Sequence, residues 1–173
     1  MTTNQHLSAR RRQANDATFV IIKPDAIRRG LIGAVLSRLE PLQLEIIGAK
    51  VVHVSRELAK AHYHHLKVKP FFNQLLDHLQ GKLHDTPYVL AFVLWGPDAI
   101  ARVRQVAGAT HPEKAEPMSI RGSFGRITQT ELMENILHAS TDQNEAEREI
   151  RLWFKSEELL HSDVLPRWVS VQR

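Results

Sequence analysis

Short apolar runs divide the chain into alternating extended and helical segments. Residues 18–22 are β-branched and aromatic, and Pro24 follows closely, so this run predicts a buried strand that ends at proline. Residues 44–54 and 88–95 predict a second and a third strand, and we expect Gly48 to interrupt the second.

Apolar residues spaced three and four positions apart predict the helices between these strands. The helices are predicted from Leu31 to Pro41, from Ser55 through Leu66, from Phe71 to Gly81, from Pro97 to Gly108, and from Asp142 through Trp153. Ser55 and Asp142 are residues that favour helix N-caps, and Gly81 and Gly108 favour helix ends.

Residues 110–126 are polar and contain glycine and proline, which predicts a long loop. Loops of this length in compact domains are usually functional or disordered. Residues 133–137 predict a short fourth strand. Without its additional helices, this order is the split βαβ pattern, an antiparallel sheet with helices on one face.

The length of 173 residues favours one domain with extended ends. Residues 17–160 are the predicted domain, residues 1–16 a flexible polar extension, and residues 161–173 a C-terminal extension. The sequence has no cysteine, which excludes disulfides, thiolate metal sites and cysteine nucleophiles. It has no apolar stretch of the roughly 20 residues that a membrane span needs, so no membrane partner is expected.

Three arginines at positions 10–12 lie in the N-terminal extension, and the net charge is +4. The favoured interpretation is a solvated tail, and weak contact with an anionic partner is the alternative. Because no aromatic residues are interleaved with these arginines, nucleic-acid binding is not expected.

A series of short motifs resembles the nucleoside diphosphate kinase family and spans residues 18–160. The motifs, in order, are Ile22-Lys23-Pro24-Asp25, Arg29-Gly30, His62-Tyr63, Lys69-Pro70-Phe71-Phe72, Arg104, Gly108-Ala109-Thr110-His111-Pro112, Ser119-Ile120-Arg121-Gly122-Ser123-Phe124, Asn135-Ile136-Leu137-His138-Ala139-Ser140 and Glu149-Ile150-Arg151-Leu152-Trp153-Phe154. Each alone is weak evidence, and their joint occurrence in order is strong.

The resemblance implies a ferredoxin-like αβ sandwich with a four-stranded antiparallel sheet. It implies transfer of the γ-phosphoryl group of a nucleoside triphosphate, mainly ATP, to a nucleoside diphosphate. The route would be ping-pong, with a phosphohistidine intermediate and Mg2+ carried on the phosphates. We also expect a cytoplasmic homo-oligomer, either a hexamer or a tetramer or dimer.

By resemblance, His138 is the nucleophile. A neutral imidazole has a free lone pair and can attack phosphorus without a separate base. Taken alone, His138 would be read as a core histidine. Glu149 orients its ring with help from Ser140, although Glu149 could equally be an exposed residue of an acidic stretch. Tyr63 helps to shape the site.

The phosphate groups are assigned to Arg104, Arg121 and Thr110, because arginine presents a planar charged fork to phosphate oxygens. Arg104 could instead be a cation at a helix C-terminus. Arg102 is placed similarly but matches no motif, so it serves as an internal control. Lys23 and Asn135 are implied to contact the sugar and the region of the transferred phosphate.

Phe71 is implied to stack on the base, which every base permits, so we expect broad base specificity. Because Phe71 and Phe72 are adjacent, one should be buried and the other exposed. No protein metal site is expected, since His62, His64 and His65 lack a third ligand at useful spacing and are interpreted as surface histidines.

Residues 125–134 form a longer segment than the family pattern, and Ala139 stands where glycine is usual. We expect the longer segment near the active site or at a subunit contact. A left-handed backbone at Ala139 would carry a steric cost. The alternative function is therefore a family member that binds nucleotides without turnover.

Overall fold

The computed structural model describes residues 15–161. Its main sheet has the strand order β2-β3-β1-β6, and every neighbouring pair is antiparallel. The strands are β1 Asn15–Ile22, β2 Glu45–Val52, β3 Val89–Pro97, β4 Arg126–Ile127, β5 Met133–Glu134 and β6 Leu137–Ala139. This arrangement confirms the predicted ferredoxin-like sheet.

Seven α-helices within the described range pack on this sheet. They are α1 Pro24–Arg28, α2 Ile32–Leu39, α3 Arg56–His62, α4 Phe72–Leu79, α5 Ala99–Ala107, α6 Ile120–Phe124 and α7 Gln143–Trp153. Short 3-10 turns occupy Glu40–Leu42, His64–Leu66, Pro112–Lys114 and Ser156–Glu158. No helix among residues 15–161 has the length and apolar character needed to cross a bilayer.

Helices cover both faces of the sheet, whereas the sequence pattern predicted helices on one face only. Phe19 and Ile21 of β1 face a core built with α3, α4 and α7, and Val20 and Ile22 face a second core built with α2 and α5. The alternation of side chains along β1 therefore buries its continuous apolar run on both sides. The additional helices supply the second layer.

The predicted caps form as expected. The Ser55 hydroxyl accepts a hydrogen bond from the amide of Leu58 at 3.0 Å, and the Asp142 carboxylate accepts one from Glu145 at 3.0 Å. Gly81 follows α4 with φ +78°, and a Cβ atom there would lie 1.7 Å from the Thr86 carbonyl oxygen. Only glycine fits that turn.

Two predicted segments are wrong in detail. Residues 110–126 are not a plain loop, because they contain α6 and a 3-10 turn, with the Ser119 hydroxyl accepting from the Gly122 amide at 3.1 Å. Residues 133–137 are not one strand. Met133–Glu134 pairs with Arg126–Ile127 in a separate ribbon, and the fourth strand of the main sheet is Leu137–Ala139.

The break between these strands lies at Ile136, whose φ is +71°. Ala139 has no positive φ. It pairs with Val20 and is 5% exposed, so its methyl group is part of the core and carries no left-handed strain. This removes the argument from Ala139 for a protein that binds nucleotides without turnover.

At the termini, β1 begins at Asn15, so Asn15 and Asp16 belong to the sheet although the sequence placed them in the flexible extension. The Asp16 carboxylate accepts a hydrogen bond from the amide of Ile100 at 3.0 Å. The basic positions 10–12 and most of the C-terminal extension lie outside the described residues.

Candidate active site

A cavity of about 710 Å³ lies at the end of β1, beside β6. The predicted site residues that line it are Lys23, Tyr63, Phe71, Arg104, Thr110, Arg121, Asn135, His138 and Glu149. Ser140 lies behind this lining, in contact with Glu149. The fold thus brings together residues from α1, α3, α5, α6, β6 and α7 or from the turns beside them.

His138 lies on β6 itself, with its side chain 17% exposed. Burial, together with the nearby charges of Lys23 and Arg121, lowers the pKa of His138 well below its ordinary value. The ring is therefore neutral at physiological pH, with one nitrogen protonated and the other carrying a free lone pair. That is the protonation state a nitrogen nucleophile needs.

Glu149 decides which nitrogen is free. Its Oε1 lies 2.8 Å from Nε2 of His138, although the angle between the groups falls short of a hydrogen bond. A carboxylate only accepts, so Nε2 carries the proton and Nδ1 keeps the lone pair. Catalytic hydrogen bonds are often poorly aligned before substrate binds and tighten with it.

Ser140 fixes the carboxylate of Glu149. The Ser140 hydroxyl donates to Oε2 of Glu149 at 2.7 Å, and Oγ of Ser140 accepts from the backbone amide of Phe19 at 3.1 Å. Glu149 is 2% exposed, so it is not a solvent-exposed member of the acidic stretch. Burial raises the pKa of Glu149, opposed by His62, the Ser140 hydroxyl and Arg148.

His62 was interpreted as a surface histidine, and that is wrong, since it is fully buried. Its ring centroid lies 4.4 Å from that of His138, edge to face. Ligand atoms of His62, His138 and Glu149 lie within 4.8 Å of one another. However, the indole N–H of Trp153 donates to Nδ1 of His62 at 3.3 Å. This engages the lone pair that a metal would need, and we interpret the group as support for His138.

Lys23 and Asn135 form one wall of the cavity. Nζ of Lys23 donates to Oδ1 of Asn135 at 2.6 Å, and the Asn135 amide donates to the carbonyl of Thr110 at 3.1 Å. Burial lowers the pKa of Lys23 to about 8, although Asp25 opposes the shift. Lys23 therefore titrates close to physiological pH.

Arg121 is buried and held by two carbonyl groups, those of Gly108 at 2.7 Å and Leu137 at 3.0 Å. A Cβ atom on the adjacent Gly122 would lie 2.0 Å from the carbonyl oxygen of Glu116, so glycine permits a close approach of the backbone there. Burial, assisted by the charge of Arg104, lowers the pKa of Arg121 to about 10. The guanidinium remains charged at neutral pH.

Arg104 and Arg102 have different surroundings, as the sequence suggested. Arg104 is exposed at the cavity, and its guanidinium makes no hydrogen bond within residues 15–161. Arg102 faces elsewhere and donates to the carbonyls of Leu42 at 2.6 Å and Pro97 at 3.1 Å. One arginine of α5 is therefore available to a ligand, and the other joins α5 to its surroundings.

Two aromatic residues, Tyr63 and Phe71, line the cavity. Tyr63 is 6% exposed, and its burial, with the charges of Glu149 and Asp25, raises its pKa, so the phenol keeps its proton. Phe71 is 49% exposed, while Phe72 is half-buried against the core. The ring of Phe71 thus has a free face at the cavity.

The longer segment 125–134 contributes directly to the cavity. It forms the ribbon of β4 and β5, and Glu131, Leu132 and Met133 lie in the cavity wall. The segment therefore lies near the active site, which was one of the two expected positions; the other was a subunit contact. These side chains had no signal in the sequence, because their place depends on how the ribbon folds back.

Three further residues support the site and were not assigned a role from the sequence. Arg148 donates to the carbonyls of Ala61 and His62, both at 3.1 Å, and so ties α7 to the end of α3. Asp25 and His78 form a buried pair with 3.1 Å between Oδ1 and Nε2. Their long separation along the chain left no local pattern to detect.

Comparison with known proteins gives one consistent family. The family model described as nucleoside diphosphate kinase matches residues 16–159. A nucleoside diphosphate kinase of Symbiobacterium thermophilum is 44% identical over 154 residues, covering 89% of this chain and 97% of the relative. One of Pyrococcus horikoshii is 45% identical over 153 residues, covering 88% and 94%.

Solved structures agree. The nucleoside diphosphate kinase of Borrelia burgdorferi, a transition state mimic with bound vanadate and ADP, has a TM-score of 0.75 and 36% identity, covering 84% of this chain and 90% of that one. The enzyme of Halobacterium salinarum in complex with CDP has a TM-score of 0.75 and 40% identity, covering 84% and 91%.

Proposed function

This chain belongs to the nucleoside diphosphate kinase family, and we propose that it transfers the γ-phosphoryl group of a nucleoside triphosphate, mainly ATP, through a phosphohistidine at His138. As a member of the family it is a phosphotransferase that acts on nucleotides. The observation that carries the proposal is His138 itself. It is a neutral histidine with Nε2 turned to Glu149, in a cavity that also contains Lys23, Arg104 and Arg121.

In the first half-reaction, the lone pair of Nδ1 attacks the γ-phosphorus. A P–N bond forms, the bond from phosphorus to the β,γ-bridging oxygen breaks, and the nucleoside diphosphate leaves with that electron pair. In the second, a terminal oxygen of another diphosphate attacks phosphorus and the P–N bond breaks, which gives ping-pong kinetics. The imidazole gains positive charge in the first step, and Glu149 is placed to stabilise it.

Phosphoryl transfer depends mainly on positioning and charge stabilisation. We assign the phosphate oxygens to Arg121, Arg104 and the hydroxyl of Thr110. Arg121 is rigid and Arg104 is free, so the first provides a fixed charge and the second can close on the substrate. Tyr63 keeps a hydroxyl proton to donate at the edge of the site.

The nucleoside is assigned to the other side of the cavity. Lys23 and Asn135 are hydrogen-bonded to each other and offer a donor and an acceptor to the sugar hydroxyls. The exposed face of Phe71 is proposed to stack on the base. Because stacking does not read the hydrogen-bonding edge of the base, we propose broad base specificity.

Magnesium is proposed as the cofactor, and it would be bound by the nucleotide phosphates and not by protein ligands. The cations Lys23, Arg104 and Arg121 suit phosphate oxygens and not a metal ion. The Glu149 carboxylate is engaged by Ser140 and His138. When bound, Mg2+ would neutralise phosphate charge, while the residues of the chain hold the phosphates.

Assembly into a homo-oligomer and a cytoplasmic location complete the proposal. Ile46 and Val51 of the edge strand β2 are 48% and 65% exposed, which supports an apolar contact between copies. The cytoplasm is proposed because ATP and nucleoside diphosphates are made and consumed there.

Labelling tests the proposal directly. Incubation with γ-labelled ATP and no acceptor is expected to label the protein, with a phosphoramidate that is stable in base and labile in acid. Adding an unlabelled nucleoside diphosphate should then discharge the label as a nucleoside triphosphate. A protein that exchanges phosphate between nucleotides without ever carrying label would reject the phosphohistidine and leave direct transfer.

The pH dependence of kcat/KM tests Lys23. This parameter reports the free enzyme, in which the pKa of Lys23 is about 8. Lys23 is charged below that pH and neutral above it, so kcat/KM should fall as pH rises through about 8. Lys23→Arg stays charged and should move this alkaline limb upward, whatever its effect on the maximum rate.

Lys60, an exposed lysine on α3, gives the matched control for this profile. Lys60→Arg is expected to leave the alkaline limb in place. An alkaline limb that persists at the same pH in Lys23→Arg would assign it to another group.

A further inference from the structure

The backbone that leads into the nucleophile is held in a strained turn. Ile136 is fully buried with φ +71°, a conformation that is unfavourable for a β-branched residue. Its carbonyl accepts from the amide of Lys23 at 2.9 Å, and its amide donates to Oδ2 of Asp25 at 2.9 Å. Since Ile136 lies two residues before His138, these contacts set the direction in which β6 begins.

Asp25 is the side-chain anchor of this turn and is fully buried. Burial alone would raise its pKa, but the hydrogen bond and charge of His78, with Lys23 and the Ile136 amide, lower the pKa of Asp25 to about 2. The carboxylate is therefore ionised and can only accept. It follows that Nε2 of His78, 3.1 Å from Oδ1, is the donor.

His78 reaches Asp25 from α4, an element outside the catalytic strand. It is 3% exposed and also borders the nucleotide cavity. Its ring centroid is 4.8 Å from that of His84, whose Nδ1 is 3.7 Å from Oε1 of Glu134. Glu134 in turn accepts from Nε of Arg126 at 2.6 Å.

The contacts from His78 through His84 to Glu134 end close to the turn, because only Asn135 separates Glu134 from Ile136 in the sequence. Asp25 therefore holds the turn directly, and the ribbon residue Glu134 lies two positions before Ile136. His78 contacts both Asp25 and His84. The side chains of Asp25, His78, His84 and Glu134 have no reactive role in the proposed transfer.

We propose that His78 is a positioning residue for the reaction: its hydrogen bond to Asp25 holds the left-handed turn at Ile136 and thereby aims the ring of His138 at the phosphate. The proposal rests on the proposed function, in which His138 is the nucleophile. Misplacing a nucleophile lowers kcat and leaves substrate binding largely intact. The proposal assigns His78 no contact with the phosphate or with the reacting nitrogen.

Loss of this bond should also change the pH profile. Without His78, a main cause of the low pKa of Asp25 is gone, so that pKa rises and the carboxyl becomes protonated at a higher pH. The acid limb of kcat then moves upward in pH. The charged and titratable groups that face Asp25 are Lys23, Tyr63, His78, His84 and Arg126.

The test compares His78→Leu, which keeps an apolar side chain, with His78→Gln, whose amide can still donate to Asp25. His161→Leu is the matched control, because Nε2 of His161 is also 3.1 Å from a carboxylate oxygen, that of Glu45, but this pair is exposed. For each variant we would measure kcat, KM and the pH profile of phosphate exchange, the midpoint of thermal unfolding, and the rate of labelling by γ-labelled ATP.

His78→Leu is expected to lose about tenfold to a hundredfold in kcat and in labelling rate, with an acid limb moved upward and a KM little changed. His78→Gln should recover most of the rate, and His161→Leu should match the wild type. A wild-type kcat and acid limb in His78→Leu would overturn the proposal, as would equal losses in both His78 variants with an unmoved acid limb.

If His78→Leu does not fold, His78→Gln decides alone. A rate within about threefold of wild type supports the proposal, and a loss of about tenfold or more overturns it. Labelling of the wild type distinguishes a failure of the His78 proposal from a failure of the proposed function. An unlabelled wild type rejects the phosphohistidine, whereas normal labelling of both wild type and His78→Leu rejects only the role of His78.

Discussion

Replacing His138 with alanine is expected to lower phosphate exchange between nucleotides by about a thousandfold or more and to abolish labelling by γ-labelled ATP. The reason is that Nδ1 of His138 is the atom proposed to carry the phosphoryl group between the two substrates. Nucleotide binding should persist, because Lys23, Arg104 and Arg121 remain. The measurements are the steady-state exchange rate, the labelled fraction, and binding of a nucleoside diphosphate by calorimetry.

His65 offers the matched control, since it borders the same cavity but is exposed and has no place in the proposed transfer. His65→Ala should keep the label and most of the rate. Label that survives in His138→Ala would move the nucleophile to another residue, and unchanged exchange in that variant would reject the covalent route.

Replacing Arg104 with alanine is expected to lower kcat/KM about a hundredfold, the loss typical of removing one group that stabilises transition-state charge. The guanidinium is exposed at the cavity and makes no hydrogen bond within the described part of the chain, so its removal leaves no buried group without a partner. The thermal midpoint should therefore change little. Activity assays and thermal unfolding on the same preparation check both statements.

Arg102→Ala should show the opposite pattern. Arg102 donates to the carbonyls of Leu42 and Pro97, so its loss should lower stability by about 1–2 kcal/mol while kcat/KM stays near wild type at a temperature where the variant is folded. Equal effects of the two substitutions on kcat/KM would remove the assigned role of Arg104. The comparison is direct, because both residues lie on α5.

Local sequence rules predicted the helices well. Ser55 and Asp142 cap their helices as expected, because an N-cap depends only on a side chain and an amide three residues later. The ferredoxin-like sheet was also predicted correctly. The second layer of helices was not predicted, since a hydrophobic face does not say which side of the sheet it will cover.

The fourth strand was misplaced for a local physical reason. Residues 133–137 look like one extended run, but Ile136 is left-handed, a conformation that a β-branched residue rarely adopts. Its cost is offset by hydrogen bonds to Lys23 and Asp25, and Asp25 lies 111 positions away along the chain. No window of neighbouring residues contains that information.

The candidate site was also predicted only in part. Motifs indicated the residues that would face a nucleotide, and these residues do line one cavity. The groups that hold them were not predictable. His62 was interpreted as a surface residue because no third metal ligand lay at useful spacing, yet its ring packs inside the protein against His138. Burial of a single histidine depends on the whole fold.

The short strand β6 has a consequence for the order in which this protein acquires its activity. The hydrogen bond between Ser140 and the Phe19 amide spans 121 positions, so closing it requires a very large loop in the unfolded chain. Contacts of such high contact order form slowly, whereas helices form early. During refolding or synthesis, helical signal should therefore return before phosphate exchange, and competence should await the emergence of α7.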